Sequence, residues 1–125
     1  MSSTLNGTTA GLDNLAVPNL KLLYCATLPE FPNRIPGIWS PEHFFTAAVS
    51  SCLMTTFLAV AEHSNLKFEN FTCKATGKLA KVDGKWIMTE IHLFPELTLG
   101  PNEKKERGLK VLEKSEKACL ISHSI

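Results

Sequence analysis

The chain holds four cysteines, Cys25, Cys52, Cys73 and Cys119, and these are its most reactive side chains. A thiolate can attack an electrophile, be oxidised, or bind a metal. No C-x-x-C pair is present, and the four histidines (His43, His63, His92, His123) are scattered, with no H-E-x-x-H run. That pattern argues against a zinc site, and no metal or organic cofactor is implied. Gly77-Lys78 lacks the upstream glycine and the following Ser or Thr of a phosphate loop. Each cysteine, taken singly, also suits a small core residue, since free Cys is among the most buried residue types. For Cys25 and Cys73, on strand faces, that reading is kept.

The elements around these thiols follow from hydrophobic pattern and turn chemistry. The 125 residues suffice for one domain with one core. The 44% apolar and 20% charged composition is that of an ordinary globular protein, and a net charge of +1 points to neither nucleic acid nor an anionic membrane. No apolar run is read as long enough to span a bilayer. The polar start, Met1 to Thr9, lacks the order of a signal peptide and reads as flexible. The expected location is cytoplasmic, where structural disulfides are rare.

Alternation at Leu20, Leu22, Tyr24, Ala26 and Leu28 predicts a strand, and Asp13-Asn14 and Pro18-Asn19 are turn signals for a hairpin. Residues Pro29 to Gly37 carry three prolines and read as a loop. Ser40 then offers an N-cap, Pro41 suits the first helical position, and Glu42 complements the positive helix end. The helix is expected to run to Glu62 or His63. It is apolar or small on nearly every side, so it should be buried centrally, most simply by a second subunit. Asp83-Gly84 predicts a tight hairpin between Phe68–Lys81 and Trp86–Leu93. In the first strand Phe71, Cys73, Ala75 and Leu79 share a face. In the second, Trp86, Met88, Glu90 and His92 oppose Ile87, Thr89, Ile91 and Leu93. Gly100-Pro101-Asn102 leads into a second helix over roughly 102–117, apolar at Leu109, Leu112 and Val111. Paired strands separated by long helices predict an α+β fold.

Two segments carry a resemblance. The run Trp39-Ser-Pro-Glu-His-Phe-Phe-Thr-Ala-Ala-Val-Ser-Ser-Cys52 resembles the signature of the OsmC/Ohr family (osmotically inducible protein C, organic hydroperoxide resistance protein). In that signature Pro-Glu opens a helix and a Cys follows the Glu after a stretch of small residues. The run Glu116-Lys-Ala-Cys119-Leu-Ile-Ser122 is similar to the family's second Cys segment, with Leu120 where the pattern has proline. The likeness extends from about Ala10 to Ile125.

The resemblance implies an OsmC-like fold: β-hairpins around a long buried helix, in one domain over residues 1–125 and as an intertwined homodimer. The closing strand of relatives is absent from this reading. It also implies a reaction. Cys52 as thiolate attacks an organic hydroperoxide and becomes a sulfenic acid, Cys119 condenses with it to a disulfide, and an external dithiol restores both. An apolar helix disfavours a thiolate, so a cation is expected beside Cys52. The family uses an Arg held by the motif Glu, and here those roles fall to Arg34 and Glu42. Trp39, Phe31, Phe44 and Phe45 fit either an apolar substrate pocket or a core. Two other readings compete: an OsmC-like dimer that binds an apolar small molecule without peroxidase activity, and a thiol redox sensor.

Overall fold

The computed structural model describes residues 4–9, 12–16, 18–26 and 37–125. The chain divides into two compact units, Met1–Phe45 and Thr46–Ile125.

In the first unit, strands β1 (Thr4–Thr9), β2 (Leu12–Ala16) and β3 (Leu23–Ala26) form an antiparallel sheet in that order. The expected hairpin is present: Asp13 faces Cys25 and Leu15 faces Leu23 across β2 and β3. Of the two turn signals only Pro18-Asn19 makes the turn, with Asn19 at φ 69°. Asp13-Asn14 lies inside β2 instead, paired on both sides. Residues 4–9, read from their polar sequence as a flexible start, form β1; pairing with β2 supplies an order that the side-chain pattern does not announce. Cys25 is buried and its strand bridges to Trp39.

Helix α1 (Pro41–His63) begins as its sequence requires. Ser40 Oγ accepts from the His43 N–H at 3.2 Å, and His43 Nδ1 accepts from the Ser40 N–H at 2.9 Å. This is a capping box with His in the place usually held by Glu or Gln, and it satisfies two otherwise orphaned donors. After His63 the chain turns away at Asn65, whose φ of 54° lets Leu66 N–H reach back to Ala61 O. By length and composition α1 is long enough and apolar enough to cross a membrane, which corrects the sequence expectation. The interspersed Ser and Thr residues hide how little charge the span contains.

In the second unit, β4 (Phe68–Val82) and β5 (Lys85–Leu99) form a long antiparallel hairpin. Its turn is Asp83-Gly84, with φ of 52° and 79°, the mirror-image geometry that matches strand twist. The face expected on β4 is correct: Phe71, Cys73, Ala75 and Leu79 are its half-buried residues along that stretch, with Ala80. The strict alternation expected on β5 fails at one point. Lys78 pairs with Glu90 but Leu79 pairs with Met88, so Thr89 is an extra residue. This bulge switches the inward parity, and Met88 joins Ile91 and Leu93 on the half-buried face.

Helix α2 (Lys105–Ala118) starts three residues later than the pattern suggested. Its buried stripe is Gly108, Val111 and Ser115, while Leu109 stays half-exposed at 51%. Gly108 accounts for the packed face. A Cβ there would stand 3.1 Å from Leu99 Cδ2 and 3.3 Å from Leu97 Cδ2, so the missing side chain lets α2 lie close against β5.

The core of this unit joins α1, β4, β5 and α2. Phe57, Ala61, Leu66 and Val111 are buried, with Val60, Phe68, Phe71, Leu97, Leu99 and Leu112 around them. Phe57 is fully buried, stacks on Phe71 at 4.1 Å between ring centres, and meets Phe68 edge-on at 5.2 Å. At the rim, Glu103 accepts from the Lys67 N–H, and Arg107 bridges Glu103 to the Ser64 carbonyl, which ties the start of α2 to the end of α1.

Phe57→Ala removes the ring at the centre of this cluster and should cost about 3–5 kcal/mol. Urea unfolding followed by circular dichroism checks this, and a loss near or below ~1 kcal/mol would mean that the core lies elsewhere.

Candidate functional site

The β4–β5 hairpin and α2 fix α1 through the stripe Val49, Leu53, Phe57 and Ala61, all buried. Cys52 lies next to that stripe and is half-buried. Cys119 is the C-cap of α2, with φ −68° and ψ 107°, and is 1% exposed. There the chain leaves the helix, and the residues that follow fold into a short 3-10 turn, Ser122–Ser124. The His123 N–H donates to the Cys119 carbonyl at 3.3 Å, and the Ser124 N–H to the Ile121 carbonyl at 3.0 Å.

This turn lies against the middle of α1. The Ile121 N–H donates to Cys52 Sγ at 3.5 Å, and the Cys119 thiol is in hydrogen-bond contact with the same sulfur. Ser122 Oγ–H in turn donates to Cys119 Sγ at 3.1 Å. The sequence separates Cys52 and Cys119 widely, and the fold brings them together as free thiols.

The environment acts on Cys52. Donation from the Ile121 amide, with further hydrogen bonds from Cys119, Thr56 and the Leu120 amide, holds its thiol below the ordinary value. Burial opposes this and is outweighed. Cys73 shows the reverse: burial pushes its thiol up, with only partial relief from the Phe94 main chain. Two thiols of one chain are thus pushed in opposite directions, Cys52 by local donors and Cys73 by burial.

The other expected residues are placed less fully. Glu42 sits in the first turn of α1, as its helix-start signal required. Arg34, like Phe31, lies outside the described residues. Trp39 and Phe44 stack at 5.2 Å and line an apolar concavity of the N-terminal unit with Leu22, Leu23 and Tyr24. Thr56, Ser122 and the 120–121 main chain were not singled out from sequence as parts of the site. Thr56 stands one helical turn after Cys52 and Ser122 follows Cys119 closely, so spacing alone could have flagged both.

A cavity of about 370 Å³ opens beside Cys119. Leu53, Leu93, Pro95, Leu109 and Leu112 make it apolar, and Glu113, Glu116 and His123 stand at its polar side. Among the described residues no cluster of His, Cys, Asp and Glu is arranged to hold a metal.

Comparison with known proteins now bears on this pair of thiols. The family model for OsmC-like protein matches residues 36–125. The chain belongs to the OsmC-like family. Solved structures agree on the α+β fold. An OsmC-like protein of unknown function from Vibrio cholerae superposes with a TM-score of 0.88 at 22% identity, covering 99% of this chain and 92% of that one. An organic hydroperoxide resistance protein from Elizabethkingia anophelis gives 0.79 at 18% identity, with coverage of 98% and 84%. The organic hydroperoxide resistance protein OhrB of Bacillus subtilis gives 0.73 at 17%, with coverage of 98% and 87%. No curated protein matches the chain. The OsmC-like match begins just before α1 and takes in both Cys52 and Cys119.

Alkylation by iodoacetamide, resolved by peptide mass, should label Cys52 at lower pH than Cys73. Thr56→Val, which removes a donor, should move the Cys52 profile to higher pH and leave that of Cys73 in place. Equal profiles for the two thiols in the wild-type chain would contradict the assignment of local donors.

Proposed function

We propose that this OsmC-like protein reduces organic hydroperoxides, with Cys52 as the attacking thiol and Cys119 as the resolving one. The observation that carries the reading is the contact between the two thiols, one of them held toward thiolate by hydrogen bonds. The naming of several structural neighbours as organic hydroperoxide resistance proteins supports it at the level of the fold.

The steps balance as follows. The Cys52 thiolate attacks the distal oxygen of ROO–H; the O–O bond breaks, and the alkoxide takes a proton and leaves as alcohol. Cys52 becomes a sulfenic acid. The Cys119 sulfur attacks the sulfenic sulfur, an S–S bond forms, and hydroxide leaves as water with the Cys119 proton. Two thiols of an external dithiol then reduce the disulfide and are themselves oxidised. No organic cofactor or metal enters. The Ser122 hydroxyl, donating to Cys119 Sγ, leaves the Cys119 proton free to point at Cys52. Glu42 and Arg34 keep the roles the family pattern gives them, with Glu42 orienting the guanidinium and the guanidinium stabilising charge at the thiolate.

The apolar lining beside Cys119 favours a hydroperoxide with an alkyl or aryl body over hydrogen peroxide. We also propose a homodimer joined through α1. Opposite its buried stripe the helix presents Ser51, Met54, Thr55, Leu58 and Ala59, an exposed face without charge, with Met54 38% and Leu58 45% exposed. Uncharged apolar surface of this kind is typical of a covered face. The protein is proposed to act in the cytoplasm, where dithiol reductants are at hand.

Native mass spectrometry after one equivalent of cumene hydroperoxide tests both parts. The expected species is a dimer of the 13.8 kDa chain in which each chain has lost a pair of hydrogens. Cys52→Ser should not change mass, and Cys119→Ser should gain one oxygen. A Cys52 that stays reduced at neutral pH would end the peroxidase reading, and a monomer at micromolar concentration would end the dimer.

A further inference from the structure

The cavity beside Cys119 is apolar in its walls and acidic at its polar side. Leu53 of α1, Leu93 and Pro95 of β5, and Leu109 and Leu112 of α2 supply the walls. Its volume of about 370 Å³ falls within the ~300–1,000 Å³ range of small-molecule sites. An apolar body suits such a space, and the charge at its edge decides which apolar bodies are held.

Helix α2 sorts its charges by face. Successive residues turn by about 100°, so Leu109, Leu112, Glu113 and Glu116 fall on one side. Lys110, Lys114 and Lys117 fall on the next side round, and no Lys or Arg is among the described residues that line the cavity. Glu113 and Glu116 are exposed, and neither is ion-paired among the described residues. His123 stands at the same edge, with ring nitrogens that can donate or accept. The carbonyl end of α2 adds partial negative charge there, offset in part by Lys117 in the last turn.

We propose that this cavity takes an amphiphile with an apolar alkyl or aryl body and a positively charged head, such as an alkylammonium, and that Glu113 and Glu116 hold the head and disfavour an anionic one. A carboxylate head in the same place would meet two others with no cation between them. Glu116 and Glu113 precede Cys119 by three and six residues, about 4.5 and 9 Å along a helix axis. A head held there lies within one to two helical turns of Cys119, a distance that an alkyl body spans. In naming a substrate the inference rests on the peroxidase reading: the preferred hydroperoxide carries a cation and not a carboxylate. The binding site itself does not depend on turnover.

The test uses the reduced full-length chain and no peroxide. Octylammonium, octanol and octanoate share one body and differ in charge. Each is titrated at neutral pH into isotope-labelled protein, and the amide shifts in the NMR spectrum give both the affinity and the place of binding. The expected order is octylammonium, then octanol, then octanoate, with shifts at Leu109, Leu112 and the 119–123 segment. An exposed carboxylate beside a cation is worth about threefold, so octylammonium should bind about tenfold more tightly than octanol. Added salt should narrow that gap.

The double variant Glu113→Gln/Glu116→Gln should erase the difference between octylammonium and octanol. Glu62→Gln/Glu69→Gln removes the same charge from exposed positions outside the cavity and should preserve the difference. Leu109→Gln, at a position 51% exposed, should weaken all three probes alike. No binding of octylammonium, equal affinity for the three probes, shifts confined to another surface, or the same loss in both glutamine pairs would overturn the proposal. A chain that consumes cumene hydroperoxide and fails this ordering keeps the enzymatic reading and loses the inference. The ordering in a chain that consumes no peroxide keeps the binding site and rejects its use as a substrate pocket.

Discussion

The placement of the turn after α2 against the middle of α1 is the contact on which the site depends. A thiol on an apolar helix is driven toward its neutral form, because burial penalises charge. Cys52 is relieved of that penalty chiefly by the Ile121 amide of the 119–122 segment, with Thr56 of its own helix as a further donor. The same contact brings the second thiol within reach. The rest of the unit serves to keep the two in place. Phe57 and Ala61 lock α1 against the hairpin, and Gly108 allows α2 to settle on β5. The Glu103–Arg107–Ser64 bridge fixes the other end of α2. The helix is thereby held at both termini, and its C-cap is delivered to Cys52.

Much of this was readable from residue types. Ser40-Pro41-Glu42 announced the start of α1, and Asp83-Gly84 announced the hairpin, because each satisfies a local backbone demand that few other residues can meet. The family likeness of the two cysteine segments paired Cys52 with Cys119 before their proximity was known. What was not readable is instructive in physical terms. The bulge at Thr89 depends on register between two strands, and neither strand encodes it alone. Val111 and Leu112 were read correctly on the packed side of α2, whereas Leu109 is exposed and Gly108 and Ser115 were missed because they look polar or neutral in a hydrophobic pattern, yet their small size is what permits close packing. The Ile121 amide that reaches Cys52 has no side-chain signature at all, so a reading of residue types seeks a cation and overlooks the main chain.

Leu120 is also the point at which the second segment departs from the family pattern. A proline there would have no N–H to offer, whereas leucine supplies one. The departure that weakens the sequence resemblance therefore leaves a main-chain N–H at this position. Shared fold and locally varied chemistry are compatible, because function resides in the site and not in the architecture. The structural neighbours, at 22% identity or less, share the fold of this chain and leave its site to be argued from its own atoms.

The central claim is that Cys52 and Cys119, and no other pair, are poised to join. It is tested most directly without any peroxide, by oxidising the folded protein with diamide and mapping its tryptic peptides without reduction. Each cysteine falls on a different peptide, since Lys21, Arg34, Lys67, Lys74 and Lys117 separate them. The account predicts one cross-linked product, the peptide of Cys52 joined to that of Cys119, with Cys25 and Cys73 left as free thiols. A product containing Cys25 or Cys73, or a folded protein in which Cys52 and Cys119 fail to join, would contradict it.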